Sequence, residues 1–347
     1  MSSGNHSVDY APLRLRQCGW DDMRSRRKSI QNSMNAQNNE FKRNKQKTSI
    51  VPERTWPEDA WPHKPLWNGV RAALMALPAY FRSDTFIEGV NATDVFTLNS
   101  ALGATIETQV VETLNQIRNV WDQTGAYRTY AFVRQPQSFP DVVLKNLAKD
   151  DELPLLGIEL KGWYLLAKEG EPSLRFTQTA NACAIADLIM VVPWVLSSVI
   201  SGRPKIFTPW LESARYAAQF RNYHWKYAKE SKGNNAIVQP RNATPYPRKS
   251  DETTDTPARD KGGNFGRIAR SGIMDEYLEL MHVQPVCGIR ACHWLEFFKI
   301  FHQDTSDAQI AAAFERLRKK VETVPPSPEK SSALLLIAAL EQHLASL

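Results

Sequence analysis

An α/β fold with a mixed central β-sheet flanked by helices, followed by a mostly helical C-terminal part, is predicted by three patterns in the amino-acid sequence. Residues 100–122 carry apolar side chains every three or four positions, which is typical of an amphipathic helix. The segments 128–133, 140–144 and 155–161 are short and rich in β-branched, aromatic or other apolar residues, which indicates three strands. The uninterrupted apolar run over 188–196 is typical of a strand buried on both faces.

Two further helices complete the predicted core. Residues 173–187 have a face of small side chains at helical spacing, and residues 211–227 mix aromatic and basic side chains in a helical pattern. The predicted order is therefore helix, strand, strand, strand, helix, strand, helix, which indicates an α/β sandwich with a mixed sheet.

The C-terminal part is predicted to end in two helices. Apolar positions over 310–321 follow the 3.6-residue spacing of a helix. The prolines within 325–328 end this helix, and Pro328 suits the first turn of a last helix that runs to residue 347.

Charge and composition divide the chain of 347 residues into four predicted parts. Residues 1–50 hold ten Lys and Arg against four Asp and Glu, so they account for the whole net charge of +6. They predict a basic, flexible arm over 1–55 that favours a polyanionic partner. The polar, aperiodic stretch over 229–264 indicates a loop or linker. Packed regions are predicted over 56–228 and 265–347.

A membrane or secreted protein is not expected from this sequence. The N-terminal residues are polar and lack the apolar core of a secretory signal. The longest apolar run, over 188–200, spans 13 residues and contains Pro193, whereas a membrane-spanning helix needs about 20. The four cysteines are expected to be reduced thiols. We therefore expect a soluble, cytoplasmic protein without a membrane partner.

Charged residues next to two predicted strands form the candidate site. Glu159 and Lys161 project from one face of their strand because side chains at i and i+2 do so, while Leu160 points into the core. If the strand beginning at Asp141 pairs with this strand, Asp141 and Glu159 converge. Two carboxylates with water are ligands that Mg²⁺ prefers. Glu107, at the edge of the apolar stripe of the preceding helix, is expected to face the same point.

In this helix–strand–strand context, Glu107, Pro140-Asp141 and Glu159-Leu160-Lys161 resemble the core of the PD-(D/E)XK nucleases, and most closely that of type II restriction endonucleases. The resemblance covers about residues 100–227. It implies that Asp141 and Glu159 bind Mg²⁺ and that Lys161 assists the attacking water. It also implies that Glu107 is a further catalytic carboxylate. In that role Glu107 would either support the ligands of the first metal ion or bind a second metal ion.

The same resemblance implies the function of the chain. It predicts sequence-specific, Mg²⁺-dependent hydrolysis of double-stranded DNA that leaves 5′-phosphates, carried out by a catalytic core over 56–228. It implies a homodimer, with 265–347 supplying recognition or dimer contacts, and a cognate DNA methyltransferase as the functional partner in a restriction–modification system. Two alternatives stay open: a structure-specific repair or recombination nuclease, and a DNA-binding protein on the same fold that does not cut.

A purely structural explanation competes for the same residues. In it, Asp141 caps a turn, and Glu159 and Lys161 form a solvated ion pair at a strand edge. The tripeptide is also weak by itself, because Glu230-Ser231-Lys232 repeats the pattern in the polar loop without any strand context.

Six further side chains are candidate DNA contacts. The predicted helix 211–227 carries arginines, the predicted helix 173–187 carries two amides one turn apart, and the glycine-rich stretch 261–267 is followed by another arginine. Packing on the sheet, surface amides and a plain linker are the competing explanations. The candidates are Gln178, Asn181, Arg215, Arg221, Arg267 and Arg270.

A zinc site is not expected. Cys287, Cys292, His293 and His302 lack the paired short spacings of structural zinc ligands. We expect a pair of core thiols and ordinary histidines.

Overall fold

A six-stranded mixed sheet lies at the centre of the fold, as predicted. The computed structural model describes residues 51–135, 138–149, 151–229, 234–260, 263–301 and 305–345. The strands of the central sheet are β1 (Tyr130–Arg134), β2 (Val142–Asn146), β3 (Leu156–Tyr164), β4 (Leu188–Leu196), β5 (Pro204–Ile206) and β6 (Trp210–Ser213).

The sheet runs in the order β1-β2-β3-β4-β5, and β6 pairs with the other end of the same edge of β4. Only β3 and β4 are parallel, while the other pairs are antiparallel. All nine residues of β4 are buried, which confirms the prediction of a strand covered on both faces. The minor strands are β7 (Ile237–Val238), β8 (Thr256–Pro257), β9 (Pro285–Val286) and β10 (Ile289–Arg290).

The helices pack around this sheet. They are α1 (Lys64–Tyr80), α2 (Leu98–Gln116), α3 (Arg118–Trp121), α4 (Ala214–Tyr223), α5 (Asp275–His282), α6 (Ala291–Phe298), α7 (Asp307–Glu322) and α8 (Pro328–Ala345). The stripe predicted over 100–122 is confirmed: Ile106, Val110 and Leu114 are buried, and α2 packs on β3. The helix is interrupted at Ile117, where the backbone leaves the helical region.

The helix predicted over 173–187 is wrong. The segment contains no α-helix: its first part is extended, and a 3₁₀ turn, Ala180–Ala182, and a further turn at 185–186 follow. Its backbone pairs with a later part of the chain instead: the N–H of Thr179 donates to the carbonyl oxygen of Thr253 at 2.7 Å. The helical spacing of small side chains was therefore weak evidence for a helix. The backbone N–H groups of this segment can be satisfied by distant parts of the chain as well as within a helix.

The helix predicted over 211–227 begins later than expected. Residues 211–213 belong to β6, and α4 starts after Ser213, whose hydroxyl accepts a hydrogen bond from the N–H of Tyr216 at 3.2 Å. A turn of π-helix, His224–Ala228, follows α4. Ser213 is a favourable N-cap, so the local chemistry places the start of the helix there.

The C-terminal part is mostly helical, as predicted. Helix α7 begins at a capping box formed by Ser306 and Gln309, and Pro328 occupies the first turn of α8. Phe314 and Leu317 of α7 and Ile337 of α8 are buried where the two helices pack. None of the described helices is long and apolar enough to cross a membrane.

The polar segment predicted as a loop or linker packs on the core. The described residues, from 51 onward, belong to one compact unit. The N–H of Asp255 donates to the carbonyl oxygen of Thr177 at 2.8 Å. The basic arm lies outside the described residues except for 51–55, where Arg54 pairs with Glu212 at 2.7 Å.

Candidate active site

The pairing of β2 with β3 brings Asp141 next to Glu159. Val142 lies opposite Ile158 in the antiparallel register, so Asp141, one residue earlier, lies beside Glu159. The N–H of Leu160 donates to Oδ2 of Asp141 at 3.0 Å. The structure therefore contains the convergence that the sequence predicted from strand pairing.

Glu159 and Lys161 occupy one face of β3. They are the two partly exposed residues of a strand whose other seven residues are buried, and Leu160 between them is 4% exposed. The ladder between β2 and β3 ends at Ile158, so Glu159 and Lys161 lie just beyond it, while on the other side they pair with β4. Lys161 pairs with Glu107. The structural explanation is therefore wrong about the ion pair, because the partner of Lys161 is Glu107 and not Glu159.

Glu107 projects from α2 onto β3. Its Oε1 accepts hydrogen bonds from Nζ of Lys161 at 3.2 Å and from the N–H of Gly162 at 3.0 Å. Its Oε2 lies 3.9 Å from Nη2 of Arg134. Glu107 thus holds the Lys161 ammonium group in place, on the same side of β3 as Glu159.

Three carboxylates near one another change the electrostatics of this site. Burial, together with the charges of Asp141 and Glu107, raises the pKa of Glu159 to about 8. Burial and the charge of Glu107 also raise the pKa of Asp141, although its hydrogen bond from Leu160 acts in the opposite direction. A cation bound between the carboxylates would relieve this repulsion.

The carboxylates of Asp141 and Glu159 face a cleft of about 270 Å³. The predicted DNA contact Gln178 also lines this cleft, although it reaches it from an extended segment and not from a helix. Oε1 of Gln178 is buried and has no hydrogen-bond partner within the described structure. Residues of the polar segment form the opposite side of the cleft, among them Arg248, Lys249 and Thr253.

The donor set suits Mg²⁺ with two carboxylate ligands. Among the described residues, no three or more His, Cys, Asp or Glu side chains converge as a metal-binding group. Glu107 points its oxygens at Lys161, Gly162 and Arg134, which leaves Asp141 and Glu159 facing the cleft. Mg²⁺ is usually bound by one or two carboxylates, with waters and substrate phosphates completing its octahedron. These residues therefore fit the ion that the sequence predicted.

Arg221, predicted as a DNA contact, is buried and fully engaged within the protein. Its side chain is 3% exposed and lies 2.5 Å from Oδ2 of Asp255, whose side chain is 0% exposed. Nη1 donates to the carbonyl oxygens of Phe176 and Gln178 at 2.7 and 3.0 Å, and Nε donates to Asn222 at 3.1 Å. Burial lowers the pKa of Arg221 to about 10. The prediction of a phosphate contact is wrong because no donor is left for a ligand.

Replacing Arg221 with methionine is expected to lower the free energy of unfolding by about 3–5 kcal/mol, because Asp255 would stay buried without its cation. Equilibrium urea denaturation measures this change. Arg215→Met is the control, since Arg215 is partly exposed and donates only to the carbonyl oxygen of Cys183. A loss for Arg221→Met no larger than that of the control would contradict the structural role.

The remaining predicted DNA contacts lie away from the carboxylates. Asn181 is exposed on the 3₁₀ turn. Arg267 and Arg270 pair with Glu169 and Glu171 at 2.7 and 2.6 Å. These two arginines line a separate cavity of about 300 Å³. Their guanidinium groups are therefore already neutralised in part.

Several sequence predictions fall outside the described residues. Glu230-Ser231-Lys232, Cys18 and His302 lie there, as do the first two residues of the glycine-rich stretch 261–267. The described cysteines are not joined in disulfides, and Cys183 and Cys292 are buried. The expected pair of core thiols is confirmed for Cys292 but not for Cys287, which is only partly buried.

Asp187 is a structural residue of the site that the sequence analysis missed. It is 0% exposed, and it accepts hydrogen bonds from the N–H groups of Gly157 and Ala184 at 2.6 and 2.7 Å. The hydroxyl of Tyr246 donates to it at 3.0 Å. Burial raises the pKa of Asp187 to about 6. The one feature of the sequence that could have indicated its structural role is its position directly before the apolar run of β4.

Comparisons with family models, with curated proteins and with solved structures found no match to this chain.

Proposed function

We propose that this chain is a Mg²⁺-dependent DNA endonuclease of the PD-(D/E)XK type, acting on double-stranded DNA as a type II restriction enzyme. The observation that carries the proposal is the meeting of Asp141 and Glu159 on adjacent strands at the floor of a cleft, with Lys161 on the same face of β3. The sequence-specific cleavage, the homodimer and the cognate DNA methyltransferase belong to the proposal through the family resemblance.

The proposed roles follow from the positions of the side chains. Asp141 and Glu159 would hold Mg²⁺, which supplies polarisation of a phosphoryl oxygen and makes a nearby water easier to deprotonate. Asp141 is held in place by the N–H of Leu160, and Glu159 by the pairing of β3 with β4, where it lies opposite Ile189. The carboxylates therefore need little rearrangement to bind a cation, which favours binding.

Lys161 would orient the attacking water or help remove its proton. Its ammonium group is fixed by Glu107 at 3.2 Å, and Glu107 is itself fixed by the N–H of Gly162. In this arrangement Glu107 is a positioning residue for Lys161. A fixed cation beside the reacting phosphate also stabilises the negative charge that develops in the transition state.

Binding of Mg²⁺ is expected to strengthen with pH. With a pKa of about 8, Glu159 keeps its proton at neutral pH, so the metal ion must displace that proton. The affinity should therefore rise up to about tenfold per pH unit below pH 8 and level off above it. Isothermal titration of Mg²⁺ into the DNA-free protein, in buffers of different ionisation enthalpy, measures both the affinity and the proton release.

The Glu159→Gln variant is the control for this titration, because it removes the group that must lose its proton. It should bind Mg²⁺ weakly and without the steep pH dependence. An affinity of the wild-type protein that is constant between pH 6 and pH 8 would contradict the assignment of Glu159 as a ligand.

The proposed activity is tested by incubating the purified protein with long unmodified duplex DNA, with Mg²⁺ and separately with EDTA. Discrete bands that need Mg²⁺ are expected on a gel. A Mg²⁺-dependent smear would support the catalytic site but contradict sequence-specific cleavage, and would favour a repair or non-specific nuclease. Absence of any cleavage on many unrelated DNA molecules would contradict nuclease activity.

A further inference from the structure

One side of the active-site cleft is formed by residues 246–253, here called the 246–253 loop. We propose that Arg248 of this loop binds a backbone phosphate of the DNA next to the one being cleaved, so that the loop is part of the substrate-binding surface. This inference rests on the proposed function and adds to it a contact outside the Asp141, Glu159 and Lys161 site.

The first argument is the position of the loop. Arg248 and Lys249 line the same cleft as Asp141 and Glu159. A phosphodiester bound at the carboxylates would therefore lie in the same cleft as Arg248. The sequence analysis treated this stretch as a loop or linker and assigned no function to it.

The second argument is that the loop is anchored to the strands of the site. The hydroxyl of Tyr246 donates to Asp187, which also accepts from the N–H of Gly157, two residues before Glu159. At the other end, the carbonyl oxygen of Thr253 accepts from the N–H of Thr179 at 2.7 Å. The position of Arg248 along the cleft is thus tied at both ends of the loop to residues of the core.

The backbone conformation of the loop indicates that the loop is held in one position beside the cleft. Tyr246 has a φ of 54°, in the left-handed region. This conformation is unfavourable for a residue other than glycine. The hydrogen bond to the buried carboxylate of Asp187 offsets that cost. Within the loop, the N–H of Arg248 donates to Oδ2 of Asp251 at 2.8 Å, which fixes the backbone where the arginine side chain begins.

The third argument is charge. The carboxylates of Asp141, Glu159 and Asp251 line the cleft, and they repel a phosphodiester until a cation is bound. Arg248 is exposed, and no carboxylate among the described residues forms an ion pair with its guanidinium. Arg267 and Arg270, in contrast, are paired with glutamates. A guanidinium group matches the geometry of phosphate oxygens, so Arg248 suits the DNA backbone.

The test measures binding of a fluorescently labelled 30-base-pair duplex by anisotropy, in EDTA, over a series of salt concentrations. Arg248→Ala is expected to weaken binding about 5–10-fold and to reduce the slope of log K against log salt by about 1, as for the loss of one phosphate contact. Arg248→Lys should retain the slope, because the charge remains. Arg241→Ala, an exposed arginine of the same polar segment that does not line the cleft, should leave affinity and slope unchanged.

The outcomes separate this inference from the proposed function. If the wild-type protein cleaves DNA while Arg248→Ala keeps the wild-type slope and affinity, the role of Arg248 is wrong and the nuclease proposal stands. If the wild-type protein neither binds nor cleaves DNA, the proposed function fails, and the role of Arg248 fails with it. If the Arg248→Ala variant has the same midpoint temperature of thermal unfolding as the wild-type protein, its effect is on DNA binding and not on folding.

Discussion

Asp141→Asn is expected to lower the rate of DNA cleavage by about 10³-fold or more at saturating Mg²⁺. The change removes one of the two carboxylates that are proposed to bind Mg²⁺ in the cleft. The loss of metal-assisted charge stabilisation is worth several kcal/mol, and each 1.36 kcal/mol corresponds to a factor of about ten in rate. Single-turnover cleavage of a plasmid by wild-type and variant protein measures the effect.

Asparagine removes the charge of Asp141 without removing its hydrogen bond, because the side-chain oxygen of asparagine can still accept from the N–H of Leu160. The fold should therefore change little, and the affinity for DNA in EDTA should not fall, because the substitution removes a negative charge that repels the DNA backbone. Asp151→Asn is the matched control, since Asp151 is exposed in the turn between β2 and β3. Cleavage by Asp141→Asn at more than a tenth of the wild-type rate would contradict the role of Asp141.

Lys161→Ala is expected to lower cleavage by about 10²–10⁴-fold, the usual contribution of a positioned proton-transfer group. Mg²⁺ binding should persist, because Asp141 and Glu159 remain and one positive charge near the metal ion is removed. Glu107 keeps its hydrogen bond from the N–H of Gly162, so α2 and β3 should stay in place.

The measurement for Lys161 combines single-turnover cleavage with Mg²⁺ titration and DNA binding. Lys145→Ala is the control: Lys145 is also a partly exposed strand lysine, but it lies in the second half of β2. A protein that binds DNA without cutting it would not require Lys161. Equal rates of cleavage by the Lys161→Ala and Lys145→Ala variants would therefore contradict the catalytic role of Lys161.

Four of the six strands of the central sheet, β1 to β4, were predictable because their signals are local, whereas β5 was not predicted and β6 lies in a segment predicted as a helix. The uninterrupted apolar run of β4 indicated its burial, and the alternation around Glu159 and Lys161 indicated which side chains share a face. The proximity of Asp141 to Glu159 followed once the two strands were assumed to pair. None of these steps required knowledge of contacts far apart in the sequence.

The surroundings of the site were not predictable for the opposite reason. The segment 173–187 is extended because its backbone pairs with residues near 253 and 266, and no local pattern records that pairing. Arg221 looked like a surface cation of a helix, but its partner Asp255 lies 34 residues away along the chain. The polar composition of 229–264 indicated a loop or linker and gave no sign that Asp255 binds Arg221. The part of the cleft that carries Arg248 was therefore not predicted.

The central claim is that Asp141, Glu159 and Lys161 form one site that hydrolyses DNA phosphodiesters. It is tested most directly by a time course of supercoiled plasmid cleavage with wild-type, Asp141→Asn and Lys161→Ala proteins, followed by ligation of the products. We expect Mg²⁺-dependent cleavage by the wild-type protein alone, with ends that a ligase rejoins because they carry 5′-phosphates. Cleavage that proceeds equally in all three proteins, or in none, would contradict the claim.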